Sequence, residues 1–228
     1  MRYVFNPITC ELDLVETSGG TPVTIEASLT KTAQNSIEYK GFEIPNTLTW
    51  KTLKNGSPVT PASVRISKVE GDGAEQILED LSSPSSNTGT CNAPISFLGK
   101  TTFKAVFTVS GQSKTASVSV TTYLPMYIGL DPGNHSPLNE IKDQLQTFDK
   151  NDIPFILDGT DGVFKQLVIA VPDGTRIKSV HSDMNFPVPL ENPMEDVVTL
   201  NGNDHGYTVY RSFSNIDGDV EITNIIFE

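Results

Sequence analysis

Thr102-Phe103-Lys104-Ala105-Val106-Phe107-Thr108-Val109, the joint Ser110-Gly111-Gln112, and Ala116-Ser117-Val118-Ser119-Val120-Thr121 decide the fold class. Phe103, Ala105, Phe107 and Val109 fall on one face of an extended chain, with Thr102, Lys104 and Thr108 on the other. After the turn, Ala116, Val118 and Val120 alternate with Ser117, Ser119 and Thr121. Period-two alternation on both sides of a Gly-containing joint is the pattern of a β-hairpin with one core face and one wet face. Working back toward the amino terminus, Thr24 to Leu29, Leu48 to Leu53 and Val64 to Lys68 read as further strands, separated by Gly, Pro and Asn clusters. Trp50, the only tryptophan, lies mid-strand and points inward with Leu48 as a large core residue of a two-sheet sandwich.

Downstream of Tyr123-Leu124-Pro125-Met126 the composition changes. Of the chain's formal charge of −12, residues 129–228 supply 17 acidic against 6 basic side chains. Within this stretch Ser136-Pro137 reads as N-cap and first helical position. Leu138, Ile141, Leu145 and Phe148 then recur at helical spacing over about three turns. Leu167 to Val171 is an unbroken apolar run stopped by Pro172-Asp173-Gly174, which suits a central strand covered on both faces. Val197 to Leu200, Tyr207 to Arg211 and Val220 to Phe227 complete the strands. At the other end, residues 1–19 run into Thr17-Ser18-Gly19-Gly20, a Gly/Ser joint. They form an arm with a turn at Phe5-Asn6-Pro7 and a short strand in which Leu12 and Leu14 alternate with Glu11 and Asp13. Such a strand either docks on a partner or pairs with an edge of the next domain. The expected organisation is a mainly β chain: an arm at 1–19, a β-sandwich at 20–126, and an acidic, β-rich (α+β) domain with one short helix at 127–228.

Several function classes are excluded or disfavoured. No apolar run approaches the ~18 residues of a membrane helix, and no apolar stretch opens the chain as a Sec signal would. Two cysteines, Cys10 and Cys91, build neither a disulfide framework nor a four-cysteine zinc site, and free thiols are expected. The acidic balance repels phosphate backbones, so no nucleic-acid partner is expected. The nucleophile elbow Gly-x-Ser-x-Gly, the phosphate loop and the dinucleotide fingerprint are all missing. His135, His181 and His205 fall in expected surface loops. Asp158-Gly159-Thr160-Asp161-Gly162 and Asp217-Gly218-Asp219 offer carboxylates to Ca2+, but Asp-Gly is first of all a turn dipeptide, and no metal or other cofactor is expected. Glu191, Glu195 and Asp196 are the acids a glycoside hydrolase would use, yet nothing fixes them opposite one another beside Pro189 and Pro193. No enzymatic activity is expected.

Three segments in order carry a resemblance. Tyr3-Val4-Phe5-Asn6-Pro7-Ile8-Thr9-Cys10-Glu11-Leu12-Asp13-Leu14 is similar to the Phe-Asn-Pro-x-Thr-x-x-Leu-Asp leader that opens structural proteins of Bacteroidetes phages, crAss-like phages among them. There a Gly usually follows the Thr, where Cys10 stands here. Residues 20–126 resemble an immunoglobulin-like domain without its intersheet cysteines, Ala105 standing where one would fall. Tyr127-Ile128-Gly129, Leu167 to Gly174 and Tyr207-Thr208-Val209-Tyr210-Arg211-Ser212 are similar to a carboxy-terminal domain of fibre-like virion proteins of these phages. The resemblance implies a virion component, on head or tail, synthesised in the host cytoplasm without a signal peptide. It would dock on other virion proteins through Phe5, Asn6, Pro7, Leu12 and Leu14, assemble as a homo-oligomer with a trimer favoured, and meet a host-surface glycan or protein without inserting into a membrane. A cellular adhesin or carbohydrate-binding module is the alternative, and a glycan-degrading spike the third reading. Tyr207, Tyr210 and Phe213 fit a core as well as a sugar-stacking role.

Overall fold

The structure, a computed structural model, describes residues 2–6, 11–15, 23–131, 135–150, 152–159, 165–216 and 218–228. The fold is mainly β, as expected, with one short α-helix. In chain order the strands begin with β1 (Arg2–Asn6), β2 (Glu11–Val15), β3 (Ile25–Lys31), β4 (Ser36–Glu38), β5 (Thr47–Lys54), β6 (Ser57–Pro58) and β7 (Ser63–Glu70). Next come β8 (Gln76–Leu81), β9 (Thr88–Asn92), β10 (Lys100–Val109), β11 (Gln112–Tyr123) and β12 (Met126–Asp131). After helix α1 (Leu138–Ile141) follow β13 (Gln146–Phe148), β14 (Phe155–Leu157), β15 (Gln166–Pro172), β16 (Ile177–Ser182), β17 (Met194–Leu200), β18 (Asn203–Arg211) and β19 (Val220–Phe227).

Two compact units emerge, each built from several chain segments. The first comprises residues 1–32, 47–93 and 102–118; the second comprises 33–46, 94–101 and 119–228. The boundary read near residue 127 therefore lies inside the second unit's longest segment.

In the first unit, β5 pairs with β3 on one side and β9 on the other, while β11, β10, β7 and β8 are neighbours in a second sheet. The β10–β11 hairpin turns at Ser110-Gly111, both with positive φ (50° and 77°), the backbone that a two-residue type I′ turn requires. Its alternation is expressed as read: Phe103, Ala105, Phe107 and Val109 are completely buried. Leu48 and Trp50 of β5 are buried on the facing sheet, and the Trp50 and Phe107 rings meet at 6.0 Å, closing a two-sheet sandwich core.

The second unit is organised around β15. It lies between β12 and β18, antiparallel to both, in a sheet ordered β13-β12-β15-β18-β17. Period-two geometry sends Leu167, Ile169 and Val171 into one core and Val168 and Ala170 into another. That is why the sequence shows an unbroken apolar run here. The first core is closed by the three-stranded sheet β14-β19-β16 through Phe155, Leu157, Val180, Ile222 and Ile225. The second is closed by Leu138, Ile141 and Leu145 together with Tyr127, Tyr207 and Val198.

The helix is shorter than its spacing implies. α1 ends at Ile141, a single 3₁₀ turn covers Lys142–Gln144, and Gln146–Phe148 pairs with Met126–Ile128 as an edge strand. Leu138, Ile141, Leu145 and Phe148 are all buried, so the apolar spacing is satisfied by a turn followed by a strand. Pro137, not Ser136, holds the cap position. The Ser136 hydroxyl donates instead to Asp131 Oδ1 at 2.9 Å, and the Asp196 carboxylate accepts from the Leu138 N–H at 2.7 Å.

Candidate functional site

Of the residues expected to dock, Phe5 and Asn6 lie on β1 and Leu12 and Leu14 on β2, while Pro7 lies outside the described residues. The two strands form an antiparallel pair in the register Tyr3↔Leu14, Phe5↔Leu12 and Asn6↔Glu11. Among the described strands this two-stranded sheet pairs only within itself. The two strands thus bring Phe5, Asn6, Leu12 and Leu14 into one antiparallel pair, whereas the sequence predicts one short strand that either docks on a partner or pairs with an edge of the next domain. The joint Thr17-Ser18-Gly19-Gly20 and Cys10 lie outside the described residues.

The Tyr-x-x-Tyr-Arg-Ser segment has an internal role. Tyr207 is fully buried, and its hydroxyl donates to the Pro125 carbonyl at 2.9 Å; the Tyr210 hydroxyl accepts from the Ile177 N–H at 3.1 Å. The Arg211 guanidinium, 80 residues from its partner in sequence, reaches Asp131 Oδ2 at 2.5 Å and donates to the Ser136 carbonyl at 2.6 Å. Both charged side chains are buried, so each depends on the other for compensation. Ser212 Oγ accepts from the Leu167 N–H at 3.0 Å and donates to the Ser214 carbonyl at 2.7 Å. Of the three aromatics that fitted either core or surface, Tyr207 and Tyr210 are core, and Phe213 is 72% exposed.

The carboxylates considered for glycoside chemistry are each engaged separately. Glu191 accepts from the Gln166 amide at 3.0 Å and faces His135 at 3.5 Å, Asp196 serves the start of α1, and Glu195 is exposed. The histidines depart from their expected places: only His135 is in a loop, whereas His181 lies on β16 and His205 on β18, both half-buried. His205 meets the Tyr39 ring edge-on at 6.1 Å. No group of three or more His, Cys, Asp or Glu able to hold a metal occurs among the described residues, of which Asp161 and Asp217 are not members. No helix is long and apolar enough to cross a membrane among them.

One concave surface stands out. A groove of about 820 Å3 is lined entirely by residues of the second unit. Its lining includes the apolar residues Leu98, Leu124, Met126 and Pro172. Tyr123, 37% exposed, and Gln34, Ser36 and Thr175 also line it. Burial pushes the Tyr123 phenol up from its ordinary value, and Glu38, Asp149 and Asp152 add to the effect. No local sequence signal marks these residues, because the lining comes from five segments of the chain, each a loop or a strand end.

The chain matches no protein-family model and no curated protein.

Proposed function

We propose that the chain is a non-enzymatic structural component of a phage particle, a head or tail appendage that docks through its amino-terminal arm and displays its two β-rich units outward. The observation that carries this reading is the arm: a self-paired hairpin carrying the Phe-Asn-Pro leader, whose only strand partner among the described residues is itself. A pre-formed hairpin lowers the ordering cost of docking, because its ends and register are set before contact. The resemblance of the leader, the sandwich and the Tyr-Arg-Ser segment to virion proteins of crAss-like phages, in that order along the chain, supports the same reading. So does the internal use of the second unit's polar residues, in which Arg211, Asp131 and Ser212 brace the fold from within. Homo-oligomerisation, with a trimer favoured, belongs to the proposal, since an outward-facing β-rich module hides strand edges by assembling.

The test is labelling of particles. Antibody raised against residues 20–228 and visualised with gold is expected to decorate purified virions of the phage that encodes the chain. Undecorated virions, with the protein recovered only from infected-cell lysate, would contradict it.

A further inference from the structure

We propose that the groove of the second unit binds a neutral, hydroxyl-rich oligosaccharide, with Tyr123 as the stacking platform. At about 820 Å3 the groove lies within the ~300–1,000 Å3 range of small-ligand sites. Chemistry narrows the choice. Tyr123 ends β11 and its backbone is fixed, its carbonyl accepting from the Tyr39 N–H at 2.7 Å, so the ring is presented from a rigid strand end. A rigid aromatic offers large contact area at low entropic cost, with the phenol as a polar handle.

Around it the polar groups are of the kind that recognise hydroxyls. The Gln34 amide and the Ser36 and Thr175 hydroxyls make no side-chain hydrogen bond to other described residues, leaving their donors and acceptors for a ligand. Leu98, Leu124, Met126 and Pro172 supply the apolar surface that the C–H faces of a sugar ring require.

Charge selects among ligands. Asp149 lines the groove, and Glu38 and Asp152 stand close enough to act on Tyr123. Lys150, the one cation of the lining, sits over the Phe227 ring at 4.6 Å. Asp149 and Lys150 cancel in formal charge among the described lining residues, which matches a neutral chain better than phosphate, sulfate or uronate groups.

This inference rests on the reading of the second unit as outwardly displayed, and the two fail separately: sugar binding is measured on the isolated chain, display on particles. The probes are neutral linear tetrasaccharides of glucose, galactose, mannose and N-acetylglucosamine, with tetragalacturonate as the anionic control. Each is titrated to about 10 mM, as weak sites demand, into the isotopically labelled full chain while amide shifts are followed by NMR. At least one neutral probe is expected to shift residues 34–36, 123–126 and 172–175, more strongly than the uronate. Tyr123→Ala is expected to weaken it about tenfold or more, Tyr123→Phe to retain most of it, and Gln34→Ala, at an exposed position, to weaken it severalfold. The proposal is overturned if no neutral probe binds, if the uronate binds better, or if folded Tyr123→Ala and Gln34→Ala bind as the parent does. It is equally overturned if Tyr123→Ala lowers the mass seen by light scattering, since the groove would then be a contact between copies.

Discussion

Arg211 and Asp131 show how much of this molecule rests on single buried groups. Substituting Arg211 by Met leaves a carboxylate with essentially no exposure deprived of its guanidinium, a change that costs about 3–5 kcal/mol. The expected outcome is a melting temperature lower by about 10 °C, measured by calorimetry or circular dichroism, with partial recovery when Asp131 is also replaced by Leu. An unchanged melting temperature in the single variant would show that the pair contributes nothing net. Three other buried groups set an alkaline limit. Burial pushes the Cys91 thiol up from 9.0 to about 11, with Glu79 adding to it, and burial, with Glu38, pushes the Tyr127 phenol from 10.0 to about 12; Tyr207 is raised as well. Each is an acid whose protonated form the fold favours, so its contribution is whole below the ordinary value and is lost as pH rises through the raised one. Denaturant midpoints are expected to be unaffected by these groups near neutrality and to fall from about pH 9 upward. The same shift keeps Cys91 a poor nucleophile, and reaction with a thiol reagent at pH 8 is expected only on unfolding.

At the scale of elements, the β10–β11 hairpin and β15 were legible because their side chains obey simple periods: alternation where one face is wet, continuity where both are covered. The helix was misjudged for a related reason. Leu138, Ile141, Leu145 and Phe148 all had to be buried, and an apolar spacing of three or four does not say whether the backbone stays helical between them. Contacts distant in sequence left no local signal at all, as with Arg211 and Asp131, or with Gly89 of β9, which stands opposite Trp50 of β5. A Cβ at Gly89 would lie 2.6 Å from the Trp50 ring, so Gly89→Ala is expected to cost about 1–3 kcal/mol by displacing the core tryptophan. Tryptophan emission would report it, as a shift to longer wavelength if Trp50 gains water and no shift if the ring stays in place. The arm yields a contrasting expectation. Substituting the registered pair Phe5 and Leu12 by Asp is expected to leave the thermal stability of residues 20–228 unchanged within about 1 °C, because β1 and β2 pair only with each other among the described strands. A clear loss of stability would mean that the arm belongs to the fold rather than to docking.

For the whole molecule, the proposed function divides labour between an arm that attaches and β-rich units that are displayed. The acidic excess of residues 129–228 sets up a field that repels phosphate backbones. Light scattering on the full chain and on residues 20–228 is expected to give the mass of a trimer for both, since assembly is assigned to the folded units rather than the arm; monomers for both would remove the fibre form of the reading. The most direct measurement is rebinding. Particles assembled without this protein are mixed with the full chain or with residues 20–228, and the bound fraction is read after sedimentation. The full chain is expected to sediment with the particles and the truncated chain to stay in solution. Equal binding of the two, or binding of neither, would contradict docking through the arm.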